Sequence, residues 1–438
     1  MRIQNTESRI QSLNQGIQSL NQGIRSLNRG RIMHSVFSDC ILYSVLCIAL
    51  LIISTSCSQE HDVERPQRGG NAQRSYTYYD GLDATINAAT MQQLDASVLV
   101  ASPLVIGART YVMATTDHTI ERYDHGKRMW SVSCGKGVFA LSGMAADDKS
   151  SEVYAALSNG DVVAINVTGA VRWRVRTPDG ASVASDLLLS KGRLVAVSAS
   201  NHIVSIECMS GKVAYYTSTS GPLRPACCAD AAGNVYVVRS DDAPQVSCID
   251  ERGSVRWTSS LPLATIRMHP MIASNNVIVG GTAVNGRGAA IAIRADGTVA
   301  WTKEFSAIPQ YASCGGDSLY IVAMERGMID RPSSRIYAIS SSGKEYWNVW
   351  YDFNLRSPCY VSSDCMAVCA SPTLKAEWTN VLMVYRNGRI RRLIDLGNEP
   401  LTTDLPDVET DGALVFACAD TSALLRIEHK SLTDLLGR

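Results

Sequence analysis

Short runs of alternating apolar and polar residues follow one another along this chain, separated by turns, with no 3.6-residue period between them. Between Ser185 and Tyr216 the runs SDLLLS, LVAVSA, HIVSIE and KVAYY are set off by turn residues such as KGR and MSG. That pattern predicts four short strands of one antiparallel sheet. The same phrase then recurs: an alternating run, a turn ending in Gly, and four residues later a Trp or its substitute. The copies place Gly126 before Trp130, Gly169 before Trp173, Gly211 before Tyr215, Gly253 before Trp257, Gly297 before Trp301 and Gly343 before Trp347. Two degenerate copies follow, one at Gly388 and one with Lys430 where Gly is expected. Successive glycines stand 43, 42, 42, 44, 46 and 45 residues apart, with 42 more to Lys430. A four-stranded unit of about 40 residues, repeated radially, is a propeller blade. Eight copies predict an all-β, eight-bladed β-propeller of four-stranded antiparallel sheets.

The turn glycines have a mechanical reason. Gly297 after Asp296 and Gly388 after Asn387 supply the positive φ of a tight hairpin. The Trp after each turn offers the large apolar surface that a blade needs, since one sheet cannot bury its own face. Trp173, Trp257 and Trp301 are therefore expected to be largely buried between sheets, whereas Trp350 and Trp378 lie off the motif. The phrase A-[IL]-[DN]-x-x-[TS]-G-x-x-x-W resembles the PQQ-like repeat of quinoprotein-type propellers. Ala164-Ile165-Asn166 through Trp173 matches it almost completely, and Ala338 through Trp347 and Ile249 through Trp257 match well. In character the chain is similar to the propeller lipoproteins of the outer-membrane β-barrel assembly machinery. That resemblance implies a cofactor-free binding scaffold rather than an enzyme, the alternatives being a periplasmic quinoprotein dehydrogenase or a surface-exposed ligand-binding lipoprotein.

The N-terminus bears on location. Ile41 to Ile53 is a nearly continuous apolar run of thirteen residues, shorter than the ~20 of a spanning helix but suited to a signal-peptide core. It runs into Ser54, Thr55, Ser56 and Cys57, which resembles a bacterial lipoprotein cleavage box with Cys57 as the lipidated residue. Upstream, QSLNQGI repeats three times between Gln11 and Arg31 with a Gly in each copy, which disfavours a helix. Residues 1–57 are thus expected to be a spurious N-terminal extension plus a lipoprotein signal peptide. Residues 58–75 are polar and read as a flexible tether, and 76–438 as the propeller. Tyr76 to Ile86 is expected to dock on it, as a candidate for the strand that closes the ring. The implied location is the bacterial cell envelope, lipid-anchored at the outer membrane and facing the periplasm.

Charge and chemistry narrow the function. Lys and Arg number 41 against 41 Asp and Glu, so no general attraction to nucleic acid follows. Adjacent Cys227 and Cys228 resemble the vicinal disulfide of the quinoprotein alcohol dehydrogenases, but the quinone there needs Ca²⁺, an aromatic floor and an Asp base built on long insertions. The repeats here are near-minimal, so two cysteines on an inner strand is the expected reading, with neither quinone nor metal bound. Cys365 and Cys369 share one side of a strand about 13 Å apart, too far to bond. Asp117-His118 and Asp124-His125 flank one strand, roughly 23 Å apart, and cannot share an ion. Arg386, Arg389, Arg391 and Arg392 form a basic cluster on an outer strand. No GxSxG, HExxH or P-loop motif occurs. No catalytic, cofactor or metal residue is assigned; the expected partner is an envelope protein met by a monomeric propeller. Its contacts are expected on two loops between second and third strands, Met324 to Arg335 and Ala283 to Arg287.

Overall fold

The computed structural model describes residues 71–74 and the stretch 88–428, the longest gaps being 326–332, 372–380 and 396–406. Tyr76–Ile86, Cys57, Cys365 and Trp378 lie outside the described residues. The described chain forms eight antiparallel sheets and no helix. Blade 1 contains Leu104–Gly107, Thr110–Ala114, Thr119–Asp124 and Lys127–Ser133, from the inner strand outward. Blades 2 to 7 repeat this order, with inner strands at Ala145–Asp147, Leu188–Ser190, Leu223–Ala229, Leu263–Ile266 with Met271–Ala273, Ile308–Gly315, and Asn354–Leu355 with Tyr360–Val361. Each inner strand touches the inner strand of the next blade, from the first blade round to the seventh.

Ring closure differs from the expectation. The eighth blade takes Asp407–Val408, Leu414–Ala417 and Ala423–Glu428 from the C-terminal end, but its outer strand is Ala88–Gln93. The two ends pair antiparallel, Ala88 opposite Glu428 and Gln93 opposite Ala423. This explains the degenerate eighth phrase. After Glu428 no further outer strand is required, so neither the Gly nor the Trp is needed there. A buried ion pair within blade 8, Arg426 donating from Nε and Nη2 to the two oxygens of Glu409 at 3.0 Å each, holds that carboxylate at the seam to blade 1, where the Arg109 amide also donates to it. The Tyr111 hydroxyl donates to the same carboxylate.

Blades bury both faces, so the second and third strands are buried along most of their length. Glu152–Ala156 and Asp161–Ile165 are buried at every position. Hydrophobic clusters lie between neighbouring sheets, such as Tyr154, Val162 and Leu194 between blades 2 and 3. The motif Trp residues sit at the rim of these layers, partly exposed, with Trp173, Trp257 and Trp301 each packed against a cluster between blades. Their outer strand leaves one edge of the ring in water. The indole instead reaches across to the Gly turn of the next blade. Trp257 Nε1 donates to the Ala295 carbonyl at 2.8 Å, and Trp301 Nε1 to Ser341 at 2.7 Å. Trp130 and Trp173 do the same to Val167 and Cys208. A Cβ added to Gly297 would lie 2.8 Å from the Trp257 ring, and one on Gly253 2.6 Å from Tyr215. The turn Gly is therefore required twice, for its positive φ and for the space the aromatic occupies. At the closing joint Gln92 takes the aromatic's place against Gly126.

Strand direction alternates within each blade, so the loops divide between two faces. One face carries the first turn of each sheet and the Gly turns. The other carries the hairpins between second and third strands and the connections between blades. We call them the turn face and the hairpin face.

Candidate functional site

The Ala283–Arg287 loop joins Asn276–Ala283 to Gly288–Ile293 on the hairpin face, as its position between second and third strands requires. Its tip exposes Val284, while Arg287 pairs with Glu304 at 3.0 Å and Asn285 donates to the same carboxylate. The second loop joins Ser318–Met324 to Ser334–Ser340 on the same face. Of its residues, 326–332 lie outside the described residues; Arg335 at its base binds Glu325 at 2.7 Å.

At a third hairpin, Ser198–Asn201, Ser200 meets His202 of the following strand and Asp179 of the preceding connection, a grouping that the sequence alone did not single out. Ser200 Oγ lies 3.1 Å from His202 Nδ1, and the hydroxyls of Ser200 and Tyr216 hold the Asp179 carboxylate down to about 2. Geometry rules against nucleophilic chemistry. His202 Nδ1 also lies 3.0 Å from the Ser200 carbonyl, which can only accept. Nδ1 therefore carries the proton and cannot take one from Ser200. His202 stacks on Tyr216 with centroids 4.4 Å apart, leaving a rigid polar-aromatic patch.

The sequence candidates fall apart in space. His118 and His125 sit at opposite ends of Thr119–Asp124; the first packs edge-on against Phe139 and the second binds Asp124 at 2.6 Å. Among the described residues no three His, Cys, Asp or Glu side chains converge on one point. Arg389 opens the outer strand Arg389–Asp395 and is exposed, while Arg386 ends the neighbouring strand. Cys227 and Cys228 stand on the inner strand of blade 4, opposite Val237 and Tyr236. Consecutive strand positions face opposite ways. Cys227 packs between blades 3 and 4, Cys228 between blades 4 and 5, and both are free thiols. Burial pushes the Cys227 thiol up to about 11 and Cys228 well above its usual range. This arrangement does not fit the vicinal disulfide that covers a quinone.

The axis of the ring holds a cavity of about 90 Å³ lined by the inner strands of blades 4 to 6, with Asp186, Pro358 and Arg74. Arg74 comes from the stretch expected to be a tether. For 71–74 that expectation does not hold. The Ala229 amide donates to the Ala72 carbonyl at 2.8 Å, and the Ile272 amide to Gln73 at 2.9 Å. Arg74 is buried and its Nη2 donates to the Leu187 carbonyl at 3.1 Å. Ala229 and Ala273 end their inner strands at the turn face, so the turn at Asn71–Arg74 floors the cavity from that side. Sequence polarity hid this docking because backbone groups carry most of it. The turn chemistry of Gly69, Gly70 and Asn71 was the available signal.

Comparisons with known proteins agree with this fold. Among solved structures, BamB from Moraxella catarrhalis superposes with a TM-score of 0.59 at 17% identity, covering 78% of this chain and 99% of that one. The quinohemoprotein alcohol dehydrogenase from Comamonas testosteroni gives 0.61 at 11% identity, covering 85% and 82%. The computationally designed Ika8 protein gives 0.54 at 14% identity, covering 76% and 98%. At these identities the likeness is one of fold. A search of curated proteins finds no match. The profile of one family matches residues 89–227 and 217–350, more than half of the sequence. The chain belongs to the family described as outer membrane protein assembly factor BamB.

Proposed function

We propose that this chain is a non-enzymatic scaffold of the bacterial cell envelope, held at a membrane by lipid on Cys57 and presenting its hairpin face to a protein partner in outer-membrane protein assembly. The family match over 89–350 carries this reading. The site geometry supports it. The axial cavity is floored by the chain's own Asn71–Arg74, and the paired cysteines pack into separate layers. In the Ser200 and His202 pair, the imidazole Nδ1 faces the Ser200 carbonyl as well as its hydroxyl. What remains at the surface is a set of hairpins on a rigid ring, the usual arrangement of a binding scaffold. Crosslinking on intact envelopes followed by pull-down tests it, with Val284→Arg as the comparison. Loss of one crosslinked partner in the variant supports the hairpin face as the contact. An unchanged set of partners would place the contact elsewhere.

A further inference from the structure

The chain is neutral overall, yet its axis is not. Of the residues lining the axial cavity, Arg74, Arg267 and His269 are basic and Asp186 alone is acidic. Arg224 stands beside them, on the inner strand of blade 4. That strand starts at the hairpin face, where the Leu223 amide donates to Asn201 of the neighbouring hairpin. Arg224 extends to the Ile266 and Arg267 carbonyls at 2.8 and 3.1 Å, which fixes its guanidinium between blades 4 and 5. Its Nε is buried with no hydrogen-bond partner. Burial, and then the like charge of Arg267, hold Arg224 below the usual arginine range, and no carboxylate offsets either. Arg267 is exposed within the opening and has no ion-pair partner among the described residues. Two guanidinium groups with no acid between them are an unfavourable arrangement unless an anion joins them.

Shape restricts the anion. The walls include Pro225, Pro270 and Met271, and Gln310 adds a polar amide. Apolar walls with a guanidinium at the end suit the methylene stem and carboxylate of a Glu side chain. Among the described residues, the floor at Asn71–Arg74 leaves the hairpin face as the side of entry.

We propose that the axial cavity, from the hairpin face, binds a carboxylate of an acidic peptide segment, with Arg267 as the main contact and Arg224 setting the local positive field. This deepens the scaffold reading by naming the chemistry of the partner's contact, and rests on that reading only in taking the partner to be a protein. Fluorescein-labelled hexaglutamate titrated against the full chain, read by anisotropy, tests it. Saturable binding that weakens with salt is expected. Arg267→Ala should weaken it about tenfold, the loss of one charge-assisted hydrogen bond, and Arg267→Lys less. Arg176→Ala, at the hairpin-face end of its strand but already paired with Asp161, should leave it unchanged. Absence of saturable binding overturns the proposal, as does equal weakening by Arg267→Ala and Arg176→Ala. Citrate is the second arm. Displacement of bound hexaglutamate by citrate supports a carboxylate site, whereas citrate binding without hexaglutamate binding overturns the peptide assignment. None of these readouts depends on lipid or on envelope partners, so a failed pull-down and a failed titration are separate results.

Discussion

Gly297→Ala tests the joint between blades most directly. The substitution adds one methyl group to a residue at φ +88°, with the Trp257 ring 2.8 Å from the new carbon. Two costs combine. An L-residue in the left-handed region costs about 1–2 kcal/mol. Forcing a methyl into filled space costs about 1–3 kcal/mol. The sum is roughly 2–5 kcal/mol. Trp257→Ala removes a half-buried ring and its bond to Ala295, for about 2–3 kcal/mol, less than the 3–5 of a fully buried aromatic. In the double variant the methyl meets no ring, so only the backbone cost of about 1–2 kcal/mol is added. A coupling of about 1–3 kcal/mol between the two sites is therefore expected. Urea denaturation followed by far-UV circular dichroism, comparing midpoints and slopes for the four proteins, measures it. Costs that add to within about 0.5 kcal/mol would show that ring and methyl never compete. The contact between turn and indole would then not hold the blades together.

Trp350→Ala, at a side chain half-exposed on the outer strand of blade 6, should cost less than 1 kcal/mol in the same assay. Cys57→Ala should release the protein from the membrane fraction; retention of the variant there would remove the lipid anchor from the proposal. Burial raises Cys227 and Cys248 to about 11 and Cys359 to about 12 from the ordinary value of 9.0. The folded thiols stay protonated while the unfolded ones ionise, so stability is intact below pH 9 and falls as pH rises from there toward 11. A urea midpoint constant from pH 7.5 to 10.5 would contradict that burial, and native protein should resist iodoacetamide at the same three sites. Reconstitution with quinone and Ca²⁺ should give no dye-linked alcohol oxidation; turnover lost in Cys227→Ser, Cys228→Ser would overturn the scaffold reading.

Periodicity made the ring legible because one sheet repeats one solution: a Gly at the turn and an aromatic four residues on. Strands at 185–216 fall where the alternation puts them. The pattern did not show why the Gly is needed. Its φ is a local matter, but the ring that excludes a Cβ comes from the blade before, some 40 residues upstream. Closure was partly legible: an N-terminal strand was expected, and the structure places it at Ala88–Gln93, just beyond the Tyr76–Ile86 segment proposed for it. The axial site was not legible at all. Arg74 and Arg267 line it from distant parts of the sequence, and Arg224 joins Arg267 only because neighbouring inner strands converge on one axis. A charge count over the whole chain averages such a cluster away.

The divided eighth blade also sets an order of events. Ala88–Gln93 emerges early in synthesis and finds its partner only when Ala423–Glu428 has been made, more than 300 residues later. Until then the strand has no sheet, and both terminal blades expose a face and an edge prone to mispairing. Native pairing so distant in sequence comes late and slowly. Under the proposed export, N-terminus first, Ala88–Gln93 would stay unpaired through nearly the whole crossing. A stop codon shortly before Ala423 would yield a protein with most of its blades intact and no way to shut the ring.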